Sequence, residues 1–363
     1  MSKEIFSIKG PVICREQFEI DADGTQTKEG VPMRMSGTEQ SRIFGTGTLK
    51  RGALMIGWQA KGLIIAICST IFLCSSAYAV SADEYVEQGV NRAQKGDYQG
   101  ATEDFTRAIR LKPHNPVAYY NRAVSRGIGG DPEGAIADYS KAIAFDPRYV
   151  EAYNNRGFAK ASLGKYNAAV NDISRAILLN PKMAELYNNR GTVRMSMHDF
   201  RRAIADFSRA LELNPQLAGV YNNRGLAKSV SGNLDGAIAD YIQAVKLDQR
   251  YEVSWYNLGN ARAALGDAKG AFEDYSKAIL LNPEMFDAWN NRAFARITLG
   301  DYAGAIGDLS RIIEHKPGNS SAWYNRGLAK KMAGDKAGAI LDLKKARLLG
   351  DSLASERIRE IVP

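Results

Sequence analysis

The residues that could do chemistry are few and scattered. The three histidines, His114, His198 and His315, fall in separate turns or at a helix end. No Cys or Glu cluster joins them at metal-ligand spacing, so no metal is expected. The three cysteines, Cys14, Cys68 and Cys74, all precede residue 82. The chain after them therefore has no disulfide framework, no cysteine-ligated metal and no thiol nucleophile. Gly127-Ile128-Gly129-Gly130 has the glycines of a phosphate loop but no strand before it and no Lys-Ser/Thr after it, and it reads as a turn. The expectation is a non-enzymatic chain with no catalytic residue and no cofactor.

What stands out instead is a column of carboxamides at intervals of 34 residues: Asn121, Asn155, Asn189, Asn223, Asn257, Asn291 and Asn325. A carboxamide is both donor and acceptor, so such a column can hydrogen-bond the main chain of an extended peptide without reading its sequence. It can equally satisfy helix ends or tie neighbouring repeats together. Both readings stand at this point.

The segment that positions one of these residues is Val150 to Met183, VEAYNNRGFAKASLGKYNAAVNDISRAILLNPKM. It reads as two short amphipathic helices broken at Leu163-Gly164 and closed by Asn180-Pro181. Tyr153, Gly157 and Ala161 share one face of the first helix; Ala169, Ile173 and Ala176 share one face of the second. Neither helix is long enough to be stable alone. The required neighbours are copies of the segment, beginning at Ala82, Pro116, Val150, Ala184, Ala218, Glu252, Phe286 and Ser320. In every copy the fourth position is aromatic, the eighth Gly or Ala, and the twentieth Ala. The thirty-second is Pro except at Gln249 and Asp351.

This pattern resembles the tetratricopeptide repeat family across residues 82–353. The resemblance implies an all-α solenoid: a right-handed superhelix of eight antiparallel helix pairs with a concave groove, closed by a C-terminal capping helix over 354–363. It also implies that the first helices border the groove, at the asparagine column and at two flanking positions. The fifth position holds Tyr120, Asn154, Asn188, Asn222, Tyr256, Asn290 and Tyr324. The ninth includes Phe158 and Phe294, with Val124, Thr192, Leu226, Asn260 and Leu328. These would take a partner's side chains while the amides hold its backbone; for the ninth-position residues ordinary helix packing is the alternative. The lysines with which some members of the family capture a terminal carboxylate are absent from the fifth position, and that activity is not carried over.

Three columns depart from the family pattern. Arg replaces the usual Leu at the seventh position in six copies, from Arg122 to Arg326; the eleventh is basic in all eight; and the twenty-third is always Asp, from Asp104 to Asp342. Positions seven and eleven lie one turn apart on one helix face. An ion-pair ladder along the array is expected, each rung contributing about 1 kcal/mol or less if exposed.

The net charge of +8 invites a nucleic-acid reading. Yet residues 80–363 carry only about +6, with both signs interspersed, which is a solvated surface and no phosphate stripe. Residues 1–54 are polar and aperiodic and are assigned no fold. From Met55, a basic flank at Lys61, an apolar run from Gly62 and Ala77-Tyr78-Ala79 read as a signal peptide cut after Ala79, spanning 55–79. This requires translation to begin at Met55; otherwise residues 62–80 form a retained membrane anchor. Either way the repeats are expected outside the cytoplasm, periplasmic or secreted after cleavage, or held at the membrane. The expected function is a scaffold binding a protein or extended peptide in the groove; the alternative is a membrane-anchored assembly subunit acting through its outer surface.

Overall fold

The computed structural model describes residues 80–361, and the proposed signal or anchor segment lies outside these save for its last residue, Val80. The chain divides into two compact units between Pro181 and Lys182. The first holds α1 (Ala82–Gln94), α2 (Tyr98–Leu111), α3 (Pro116–Ile128), α4 (Pro132–Phe145), α5 (Val150–Ser162) and α6 (Tyr166–Leu179). The second holds α7 (Ala184–Ser196), α8 (Phe200–Leu213), α9 (Ala218–Val230), α10 (Leu234–Leu247), α11 (Glu252–Ala264), α12 (Ala268–Leu281), α13 (Phe286–Thr298), α14 (Tyr302–His315), α15 (Ser320–Met332), α16 (Lys336–Leu348) and α17 (Ala354–Ile361). Within each, odd- and even-numbered helices pair antiparallel and successive pairs stack: an all-α solenoid, with no strand among the described residues. None of the described helices is long and apolar enough to cross a membrane.

Each of the eight pairs is built by the same local physics. The first helix opens on the first residue of a 34-residue repeat and runs for 13 residues. The chain then reverses at the fifteenth position, where φ is positive. Glycine occupies that position in seven repeats, from Gly96 to Gly334; His198, at φ 58°, fills it in the fourth. The sixteenth residue caps the second helix by accepting the backbone N–H three residues on, as Asp97 does from Gly100 at 2.8 Å. Lys165 is the exception and makes no side-chain cap.

Packing between the helices of a pair depends on the eighth position. A Cβ on Gly225 would lie 2.7 Å from the Tyr241 ring, and one on Gly191 would lie 2.7 Å from that of Phe207. Glycine lets the aromatic or branched residue at the twenty-fourth position enter against the helix backbone, with the alanines around it fully buried. The fourth-position aromatics are only half-buried, at the edge of the core. Arginine covers the outer face of each except Trp255. The guanidinium of Arg122 lies 5.5 Å over Tyr119, and that of Arg326 lies 4.7 Å over Trp323.

Because α6 alone among the second helices starts without a side-chain cap, Lys165→Asp should stabilise it by about 1 kcal/mol. A rise in the thermal midpoint of the full chain checks this; an unchanged or lowered midpoint would show that the α6 terminus is satisfied in another way.

Candidate functional site

The charged columns converge between the helices. In the second repeat Arg122 binds Asp138 through both carboxylate oxygens, at 2.8 and 2.7 Å, and Arg126 adds a third bond at 2.8 Å. The same bracket forms from Arg156 and Lys160 on Asp172, Arg224 and Lys228 on Asp240, and Arg326 and Lys330 on Asp342. These aspartates are 3 to 7% exposed. The ladder expected from the sequence is therefore present, but its acid side is buried and each rung is a desolvated pair. Such pairs are costly to break from one side, because the surviving charge stays buried without compensation. At Asp342 burial pushes the carboxyl pKa up, but the bonds and charges of Arg326 and Lys330 outweigh it and hold the group below its ordinary value.

The arginine also reaches backwards to the preceding repeat. Its Nη1 donates to the hydroxyl at the twenty-fifth position there: Arg122 to Thr106 at 3.0 Å, Arg156 to Ser140 at 3.0 Å, Arg224 to Ser208 at 3.1 Å and Arg326 to Ser310 at 2.9 Å. Thr106, Ser140 and Ser276 send their own hydrogen to the carbonyl four residues earlier, leaving lone pairs for the guanidinium. One planar fork thus joins two repeats and two helices of one repeat. The hydroxyl column was legible as a periodicity of Ser and Thr, but its spacing alone does not show that it meets the next arginine.

The asparagine column is largely spent on the same task. Asn155 donates to the Tyr120 hydroxyl at 2.9 Å in the first compact unit. In the second, Asn223 donates to Asn188 at 3.2 Å, Asn257 to Asn222 at 3.0 Å, Asn291 to Tyr256 at 3.3 Å and Asn325 to Asn290 at 2.9 Å. In each case a sixth-position amide meets the fifth-position residue of the preceding repeat. Asn154 and Asn290 also donate to the asparagines that follow them.

Among the residues expected at the groove, Tyr120, Asn121, Asn188, Asn189 and Asn222 are buried, so they do not present a free surface. The physical reason is that helix–helix contact closes over the fifth and sixth positions. Asn121 is 2% exposed and neither end of its amide has a partner; the fifth-position residue one repeat back, which would accept its hydrogen, is Val86, which has no polar side chain. Asn154, Asn155, Asn223, Asn257, Asn290, Asn291, Asn325, Tyr256, Tyr324 and Phe158 are half-buried. Tyr324 accepts a hydrogen bond from Arg357 of α17 at 3.1 Å. Phe294 is 45% exposed and borders a small crevice with Ala293, Ile297, Leu309 and Asn325. Met332, on α15, and Leu299, after α13, are similarly open.

Family comparisons agree with this geometry. Models described as TPR repeat match residues 128–164 and 231–266. Models described as tetratricopeptide repeat match 150–183, 184–217, 253–285 and 291–352. The chain belongs to the tetratricopeptide repeat family. No curated protein matches it. Among solved structures it is similar to the Pseudomonas aeruginosa pilF protein, at 21% identity over 59% of this chain and 97% of that one, with a TM-score of 0.51, a likeness of fold. It also matches the MamA protein at 26% identity over 47% of this chain and 92% of that one, with a TM-score of 0.43. A third match is YrrB, described as a TPR protein with an unusual peptide-binding site, at 26% identity over 52% and 96% of the two chains and a TM-score of 0.43.

The ladder has a direct test. Arg224→Leu strands Asp240 on Lys228 alone and should cost up to about 3 kcal/mol. Adding Ser208→Ile should recover at least about 0.5 kcal/mol, as a positive coupling in a double-mutant cycle by denaturant unfolding. Strict additivity would show that the hydroxyl and the guanidinium do not act together.

Proposed function

We propose that this protein is a non-enzymatic scaffold, placed outside the cytoplasm, that holds a protein or extended peptide against the first-helix face of its repeats. The observation that supports this is the distribution of charge. The recurrent acids and bases are consumed by one another between the helices, so the first-helix face is left neutral. On it stand half-buried or exposed apolar groups, Phe158 in the first compact unit and Leu226, Phe294, Leu328 and Met332 in the second. Such a surface suits apolar side chains of a partner, with polar atoms at its rim.

The amides keep a smaller part than an open ladder would give them. Asn223, Asn257 and Asn325 each donate one amide hydrogen to the preceding repeat and are half-buried, which leaves a second hydrogen for a partner's carbonyl. Asn121 and Asn189 are buried and present nothing to a partner. Replacing these asparagines therefore loosens the array as well as its grip, and an apolar residue is the cleaner probe.

Crosslinking and mass spectrometry of the full chain in its native compartment would identify the partner. Phe294→Glu, with Leu328→Glu, should then lower its affinity at least about tenfold, or about 1.4 kcal/mol, with helical content unchanged by circular dichroism. Undiminished binding by a folded variant rules out this face.

Placement outside the cytoplasm rests on the apolar run from Gly62 and on Ala77-Tyr78-Ala79. N-terminal sequencing of the mature protein is expected to begin at Val80. A retained 62–80 segment with carbonate-resistant membrane association would establish the anchored form, and a soluble cytoplasmic chain would refute both.

A further inference from the structure

Inside the second compact unit the stitch between repeats is interrupted once. Ile242 on α10 stands where the neighbouring repeats carry Ser, and Leu258 on α11 stands where they carry Arg. The two changes belong together. Leu258 is 1% exposed and packs with Tyr241, Val245 and Ala261, while Ile242 and Trp255 lie against the same cluster. A hydrogen-bonded seam has become an apolar one, and the loss falls on Asp274.

Asp274 is 3% exposed, as deep as its bracketed counterparts, but it retains a single cation: Arg262 of α11, with Nη1 2.8 Å from Oδ2. That arginine is shared with Asp267 of the preceding turn, 3.9 Å from its Nε. Glu273, beside Asp274 on α12, and Asp267 both add negative charge. From α10, across α11, comes the uncharged Ile242. From α13, which packs on α12, Arg292 turns to Asp308 and Ser276, and Arg296 to Asp308. Burial outweighs the lone arginine and pushes the Asp274 carboxyl up to about 7.

We propose that the seam between the fifth and sixth repeats is a proton-responsive joint. The Ile242–Leu258 exchange leaves Asp274 to carry a proton in place of a second cation, so that the α11–α12 pair tightens when this carboxyl is protonated and loosens when it ionises. The direction follows from linkage. Between the ordinary carboxylate value and the raised one, the folded pair binds a proton that the opened pair has released, so stability falls as pH rises through that window. Asp342 of the eighth repeat, held low by its two cations, responds in the opposite sense: its contribution is present above the ordinary value and is lost as pH falls through its lowered one. The sixth repeat is therefore set to loosen near neutral pH while the eighth holds.

Hydrogen exchange of the full chain, read by mass spectrometry between pH 5.5 and 7.5 and corrected for intrinsic exchange, tests the joint. The opening equilibrium of α11 and α12 should rise by about tenfold or more across this range, with no such rise in α15 and α16. Asp274→Asn should flatten the rise, and so should the restoring pair Ile242→Ser with Leu258→Arg. A flat response in the unaltered chain, or a rise that survives Asp274→Asn, overturns the proposal.

Discussion

The buried pairing of the seventh-position arginine with the twenty-third-position aspartate is the interaction on which the rest of the array depends. Two short helices of 13 and 14 residues do not stay folded in water by themselves. Apolar contact brings them together, but it is non-directional and would tolerate sliding. A planar guanidinium that meets both oxygens of a sunken carboxylate does not tolerate it. The same group stacks on the aromatic residue three positions before it and touches a hydroxyl in the previous repeat. One side chain therefore sets the spacing of a helix pair, the cover over its aromatic and its register on the neighbour.

This arrangement explains why the charged columns are so regular and why they offer little to a ligand. Each aspartate sits at the bottom of a contact, out of reach of solvent, with its cations closing over it. The surface left for partners is what the ladder does not use: the neutral, partly apolar face of the first helices. In the function proposed for this chain, recognition and cohesion are divided between different columns of the same repeat. A substitution can therefore act on one with limited effect on the other, provided it avoids the fifth and sixth positions, where both meet.

Much of this was legible in the sequence, because repetition turns a single chain into its own set of comparisons. The starts of the helices follow from the recurrence of Tyr or Trp, Gly, Ala and Pro, and the pairing of positions seven and eleven with twenty-three follows from three columns of fixed charge. Burial was harder to read. Spacing places Asp138 near Arg122 but does not say that the carboxylate is sealed from water, which is what raises the rung above a surface ion pair. The asparagines were ambiguous for a related reason. A column on a helix face can point outward or sideways, and only the approach of the next repeat shows that Asn223 turns to Asn188. The weak seam was visible as two unrelated exceptions, Ile242 and Leu258, until their shared apolar cluster made them one.

The reach of the arginine has one more consequence. It contacts residues 16 positions behind it and 16 positions ahead, while the repeat is 34 long. Excision of one whole repeat from the interior of a compact unit brings an equivalent hydroxyl to an equivalent guanidinium, except at the fifth and sixth repeats, where the cut would part Ile242 from Leu258. The ends lack this property: Gln88 stands in the arginine position of the first repeat and Lys344 in the hydroxyl position of the last. Interior repeats are in that sense interchangeable bricks and the terminal ones are coping stones. The length of the array can change by duplication or loss from the middle, with its two finished edges left as they are.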